Sequence, residues 1–95
     1  MQKFNGYVQY FKKYADEYNF DYLMLAAQGY QESLLDQNKR SRVGAVGVMQ
    51  VIPKLAAANP INLSNVNDAD GNIHAGVKMM RNIADTTSTI RELIH

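Results

Sequence analysis

Tyr7, Phe11, Tyr14 and Tyr18 recur at three- and four-residue intervals, with Lys12, Lys13, Asp16 and Glu17 between them. That spacing predicts an amphipathic helix from about Gly6 to Tyr18 with an aromatic stripe turned to a core. Such a stripe can also stack on sugar or base rings, but the pattern by itself asks for nothing beyond core packing. Asn19-Phe-Asp21 breaks the period, and Asp21 is placed to cap a second helix. Tyr22 to Gln31 is apolar almost all round, which predicts a helix at the centre of the core, ending on the polar pair Glu32-Ser33. Gly29 inside it costs about 1 kcal/mol against Ala, so its presence predicts a close neighbour.

From Leu34 to Gln50 no period holds, and Asp36, Asn38, Ser41, Gly44 and Gly47 are turn formers. Pro53 suits a first helical position and predicts a short helix through Ala58, stopped by Asn59-Pro60. Asn62 to Asp70 reads as a polar surface loop. A last helix carries Ile73, Val77, Met80 and Ala84 on one face, capped by Asp68 or Asp70. The run Thr86-Thr-Ser-Thr89 weakens it after Asp85, and Ile90 to Ile94 can resume it. No segment alternates as a half-buried strand does, so the expected class is all-α, one domain over residues 1–95 without repeats or linkers.

Composition removes several functions. An apolar share of 46% and a charged share of 20% fit a globular chain, and a net charge of +1 lacks the basic excess that nucleic-acid binding requires. With no cysteine there is no disulfide, thiolate zinc site or cysteine nucleophile. His74 and His95 are too few to define a metal site, so neither metal nor cofactor is expected. No apolar run approaches the roughly 20 residues that span a bilayer. The start at Met1-Gln-Lys-Phe has no export-signal pattern, which favours a piece of a longer protein; a monomer is expected.

Glu32 is the first candidate for chemistry. A carboxyl at the end of an apolar helix, partly withdrawn from water, can hold its proton near neutral pH and give it to a leaving oxygen. Position alone is equally that of a residue where a buried helix meets solvent. The residues downstream are more specific: Glu32-Ser33, Ser41 nine residues after the Glu, Gly44-Ala-Val-Gly-Val-Met-Gln50, and Pro53 three residues beyond the Gln. Asn72-Ile-His-Ala-Gly76 comes later, after the acidic Asp68-Ala-Asp70.

This series resembles the signature of the soluble lytic transglycosylase family: an ES pair, the spaced Ser, G-A-x-G-L-M-Q with its Pro, and an N-I-x-x-G helix. Val48 stands where the family usually has Leu. The resemblance covers about residues 10 to 84, and Tyr30-Gln-Glu-Ser33 resembles the branch typified by the membrane-bound lytic transglycosylase F. It implies a lysozyme-like helical domain of the cell envelope or periplasm. It also implies cleavage of the β-1,4 bond between N-acetylmuramic acid and N-acetylglucosamine in peptidoglycan strands, with a 1,6-anhydro product. Glu32 is then the acid and base, and no second carboxylate is needed because the nucleophile belongs to the substrate.

The same resemblance makes Ser33, Ser41, Gly47, Val48, Met49 and Gln50 substrate-binding candidates. Ser33 is equally a polar helix end, and Met49 a packing residue below the cleft. The glycines would let the Val46 to Gln50 backbone offer its polar groups to N-acetyl substituents. Asp36 is expected to be a loop hydrogen-bonder, His74 a surface residue, and Lys39-Arg40-Ser41-Arg42 a solvated loop. Nothing from Ala84 to His95 matches the family's A-Y-N-x-G-like helix, so the expectation is a domain short of its C-terminal helices and of part of its cleft wall. A lysozyme-type hydrolase with Asp36 as helper, and a catalytically weak peptidoglycan-binding module, are the alternatives.

Overall fold

Phe11, Leu35 and Val48 converge on Gly29 in the computed structural model, which describes residues 2–94, with side chains from residue 6 onward. A methyl group at Gly29 would meet Val48 Cγ1 at 3.1 Å, Leu35 Cδ2 at 3.2 Å and Phe11 Cζ at 3.4 Å, so the predicted close neighbour is present. The described residues form four helices: α1 (Gln2–Tyr18), α2 (Tyr22–Ser33), α3 (Pro53–Ala57) and α4 (Ala69–Leu93). Helix α1 packs against both α2 and α4, and α3 leans on α4. The segment between α2 and α3 contributes Leu35, Val46, Val48, Met49 and Val51 to the same core. Extended pairing among the described residues is limited to isolated bridges, Arg40 with Val46 and Val46 with Val51.

Local chemistry sets the ends. Asn19, at φ 60°, turns the chain out of α1, and Phe20 N–H closes back on the Ala15 carbonyl at 2.9 Å. Asp21 caps α2 as expected, accepting Leu23 N–H at 2.9 Å. Pro53 opens α3. Asp68 is the cap of α4, accepting Gly71 N–H at 2.8 Å and an Asn65 amide, and these bonds hold its carboxyl below its usual range. Asp70 sits in the first turn instead.

Three expectations change. Helix α1 begins a turn earlier than Gly6, because Gln2 to Asn5 contain no breaker and a formed helix propagates cheaply. Helix α2 is not surrounded: it buries Leu25, Ala26, Gly29 and Ser33, while Leu23, Met24 and Tyr30 are exposed. Its neighbours all lie on one side. Helix α4 runs through the threonine-rich stretch unbroken, with the Thr87 and Thr89 hydroxyls bonded back to the carbonyls of Ile83 and Asp85. Ile73 and Val77 are fully buried, Met80 and Ala84 half so, and everything from Asp85 to Leu93 is exposed. Within the polar loop before α4, Val66 is buried and acts as a plug.

Candidate active site

The polypeptide after Glu32 changes direction sharply. Leu34 and Leu35 both adopt left-handed backbone, at φ 57° and 60°, a conformation that costs a non-glycine residue about 1–2 kcal/mol. The turn is held by Leu34 N–H on the Tyr30 carbonyl at 2.8 Å and by the Ser33 side chain. Ser33 Oγ donates toward the carbonyls of Val48 at 2.7 Å and Gly29 at 3.1 Å, and accepts Asp36 N–H at 3.2 Å. Ser33 is 2% exposed. It is a latch between α2 and the glycine loop, and its hydroxyl is not presented to a substrate.

Glu32 itself is exposed. The partial withdrawal from water expected of it is not provided, because α2 has packing partners on only one side. One contact fixes it: Gln28, one turn earlier, donates Nε2 to Glu32 Oε1 at 3.1 Å. Gln28 also lines a groove whose other walls include Met49, Gln50, Leu55, Gly76 and Met79. Glu32 is therefore tied to a residue of the groove wall by one carboxylate oxygen, and the other has no partner among the described residues.

The glycine loop forms the floor. Gly44 and Gly47 have φ 89° and 81°, and a Cβ on Gly47 would lie 2.3 Å from Asn72 Nδ2 and 2.6 Å from Gln37 Oε1. Those two amides organise the segment. Asn72, fully buried on α4, accepts Met49 N–H at 2.8 Å and donates to the carbonyls of Val46 at 2.8 Å and Val66 at 3.0 Å. Gln37 accepts Val48 N–H at 3.0 Å and donates to Val66 at 3.3 Å. Val46 N–H goes to Val51, Gly47 N–H to Lys39 and Gln50 N–H to Gly47. Every N–H from Val46 to Gln50 thus has an internal partner. The expectation that this backbone offers its donors to N-acetyl groups is not met, because buried amides must be satisfied within the chain.

Val48 and Met49 are buried, and Met49 packs on Gly76, where a Cβ would come within 2.6 Å of the Met49 Cβ. Gln50 is half-buried on the groove wall, its Nε2 donating to Gly47 and Lys39 carbonyls at 2.8 and 3.1 Å. Ser41 is half-buried too; its Oγ accepts Ala45 N–H at 3.1 Å, and its proton has no acceptor among the described residues. Gln28 thus shares the groove with Gln50 and Met49 and holds Glu32 by a hydrogen bond, while Ser33, Gly47 and Val48 lie beneath the surface. Asp36 accepts Asn38 N–H at 2.9 Å, the loop role expected of it.

Sequence reasoning missed Gln28, Gln37 and Asn72. Gln28 was visible as a donor four residues before Glu32, and Asn72 opens the N-I-x-x-G match. His74 is a correction. It is half-buried, stacked on Tyr14 with ring centroids 4.4 Å apart, and its Nε2 lies 2.8 Å from the Tyr18 hydroxyl and 3.9 Å from Glu17. Burial lowers its pKa below 6.5, although Glu17 opposes this. Burial and Glu17 push Tyr18 up to about 12, and burial and Asp70 raise Tyr14, whose hydroxyl donates to Asp70. This cluster joins α1 to α4 and takes no part in the groove. Among the described residues no group of side chains could hold a metal ion; His95 lies outside them.

The family model described as Transglycosylase SLT domain matches residues 9–94. A membrane-bound lytic murein transglycosylase F of Pseudomonas putida (strain W619) is 38% identical over 77 residues, 81% of this chain and 16% of that protein. One of Marinobacter nauticus is 39% identical over 75 residues, 79% of this chain and 14% of that protein. One of Shewanella woodyi is 36% identical over 81 residues, 85% of this chain and 16% of that protein. The chain thus spans only a small part of each relative's length. No helix of the described residues is long and apolar enough to cross a membrane.

Proposed function

The chain belongs to the SLT transglycosylase domain family, an all-α, lysozyme-like fold, and from that premise we propose that it cleaves peptidoglycan as a lytic transglycosylase with Glu32 as acid and base. The bond cut is the β-1,4 link from N-acetylmuramic acid to N-acetylglucosamine. Glu32 gives its proton to the glycosidic oxygen as the C1–O bond breaks. The resulting carboxylate then takes the proton of the muramic C6 hydroxyl, whose oxygen bonds to C1. The 1,6-anhydro end forms, the acid is regenerated and no water is consumed.

The observation that carries this reading is the hydrogen bond that ties Glu32 Oε1 to Gln28, a residue of the groove wall, while Oε2 has no partner among the described residues. A positioned carboxyl that serves first as acid and then as base suffices for such a reaction. Gln50 on the groove wall is the substrate-binding candidate with direct access, and the Ser41 proton is available to a sugar or to charge developing on it. Asp36, engaged with its own loop, gives no support to a hydrolase with a second carboxylate. The relatives' names place their action at the cell wall, and the same envelope location is proposed for this chain.

One observation favours a second reading. The exposure of Glu32 is that of a carboxyl without the apolar surroundings that suit a general acid, as a glycan-binding module would have. Digestion of purified peptidoglycan by wild type and Glu32→Gln, read by mass spectrometry, separates these. The proposal expects anhydro-muropeptides from wild type alone. Reducing-end products from wild type indicate hydrolysis. Retention on peptidoglycan without release indicates a binding module, and anhydro products from Glu32→Gln overturn the role of Glu32.

A further inference from the structure

The segment from Gln37 to Asn67 contains Lys39, Arg40, Arg42 and Lys54 and not one Asp or Glu, in a chain of net charge +1. Three of these four cations occupy a single turn. Reading that turn as merely solvated overlooks how it is held. The Lys39 carbonyl accepts Gly47 N–H at 3.0 Å and the Gln50 amide at 3.1 Å, so it is bonded to the groove wall. Arg40 pairs with Val46, and its Nη1 donates to the carbonyls of Gln37 and Lys39, both at 3.0 Å. Ser41 N–H and Oγ both bond to Ala45 backbone, and Gly44 N–H returns to Ser41. Internal hydrogen bonds thus hold the turn, and one amide, Gln50, links it to the groove whose wall includes Gln28.

Its charges are unmatched. Among the described residues the ion pairs are Arg81 with Asp85 and His74 with Glu17, and no described carboxylate lies within 4.0 Å of a Lys39, Arg40 or Arg42 nitrogen. Four cations elsewhere are engaged, Lys78 with the Ile61 carbonyl, Arg81 also over Phe20, Lys12 over Tyr22 and Lys13 over Tyr14, whereas Lys54 and Arg91 stand singly, away from any cluster. Arg40, anchored by one nitrogen, leaves the rest of its fork for an outside acceptor. Guanidinium and carboxylate are geometrically matched for such a contact.

We propose that the Lys39–Arg42 turn is a carboxylate-binding rim, which holds the anionic stem peptides of the glycan while the groove holds the sugars. This rests on the reading that the chain acts on peptidoglycan. The test is cosedimentation of the Glu32→Gln protein, which leaves the polymer uncut, with sacculi freed of phosphate-containing polymers. One batch keeps its carboxylates and the other has them amidated. Amidation is expected to weaken retention about fivefold, as befits two or three exposed ion pairs. Lys39→Gln/Arg42→Gln, which touches no internal hydrogen bond, is expected to match that loss on native sacculi and to be indifferent to amidation. Arg91→Gln, at the far end of α4, is expected to change nothing. Equal retention on the two batches, undiminished retention of the double variant, or no retention on native sacculi overturns the proposal. Failure of the parent reading is seen separately, as wild type that releases no anhydro-muropeptides while still binding in a carboxylate-dependent way.

Discussion

The Asn72 side-chain oxygen accepts the Met49 N–H at 2.8 Å while its nitrogen donates to the Val46 carbonyl, so one buried amide on α4 grips the glycine loop on both sides of Gly47. Asn72→Asp keeps the shape and removes the donor, leaving the Val46 and Val66 carbonyls without it and placing an acid among them. Loss of about 2–4 kcal/mol is expected by urea unfolding, more than an exposed substitution costs. A change under about 1 kcal/mol would mean that the clamp is dispensable.

Gly47→Ala and Gly44→Ala form a matched pair. Both residues have positive φ, but a Cβ at Gly44 meets nothing within 4 Å, whereas one at Gly47 would strike the Asn72 amide. Gly44→Ala should cost only the conformational term, about 1 kcal/mol, and Gly47→Ala at least about twice that. Equal midpoints in thermal unfolding would contradict the close approach.

Ser33→Ala separates a latch from a ligand contact. Removing the hydroxyl leaves the Val48 carbonyl and Asp36 N–H without it, and about 1–3 kcal/mol of stability should be lost. Well below the midpoint of unfolding, KM on glycan strands should be unchanged. A raised KM in fully folded protein would return Ser33 to the substrate.

His74 predicts a pH dependence. Its pKa in the fold lies below the 6.5 of the free group, chiefly because burial disfavours the cation, with Lys78 and Lys13 acting the same way and Glu17 and Asp70 opposing. A depressed folded pKa means that the contribution is present above 6.5 and lost as pH falls through the folded value. Wild type should therefore lose more thermal stability between about pH 7 and pH 5 than His74→Gln does. Parallel profiles would rule out His74 as the titrating group.

The helices and their caps were legible because each is decided within a few residues: the aromatic period of α1, Asp21 before Tyr22, Pro53 at the first turn. Glu32 was singled out as a candidate by its spacing to Ser41, Gly47 and Gln50. Which of these face outward was not, because that depends on pairings far apart in the chain. Ser33 meets Val48 across 15 positions, Met49 meets Asn72 across 23, and Tyr18 meets His74 across 56. A linear motif cannot say that its own backbone donors are consumed by an asparagine on a later helix. Likewise, the apolar circumference of α2 promised a central position that only its neighbours could grant.

The inward bonding of the glycine loop has a consequence for how this molecule breathes. In deuterated water the amides of Val46 to Met49, a stretch with no regular secondary structure, should be among the last to exchange, since each is buried and internally bonded, Met49 to Asn72 on α4 and the others within the loop itself. The regular helix beyond Asp85, whose side chains are all exposed, should exchange among the first. The most persistent part of the protein is then an irregular one, and it carries the groove floor beside Glu32.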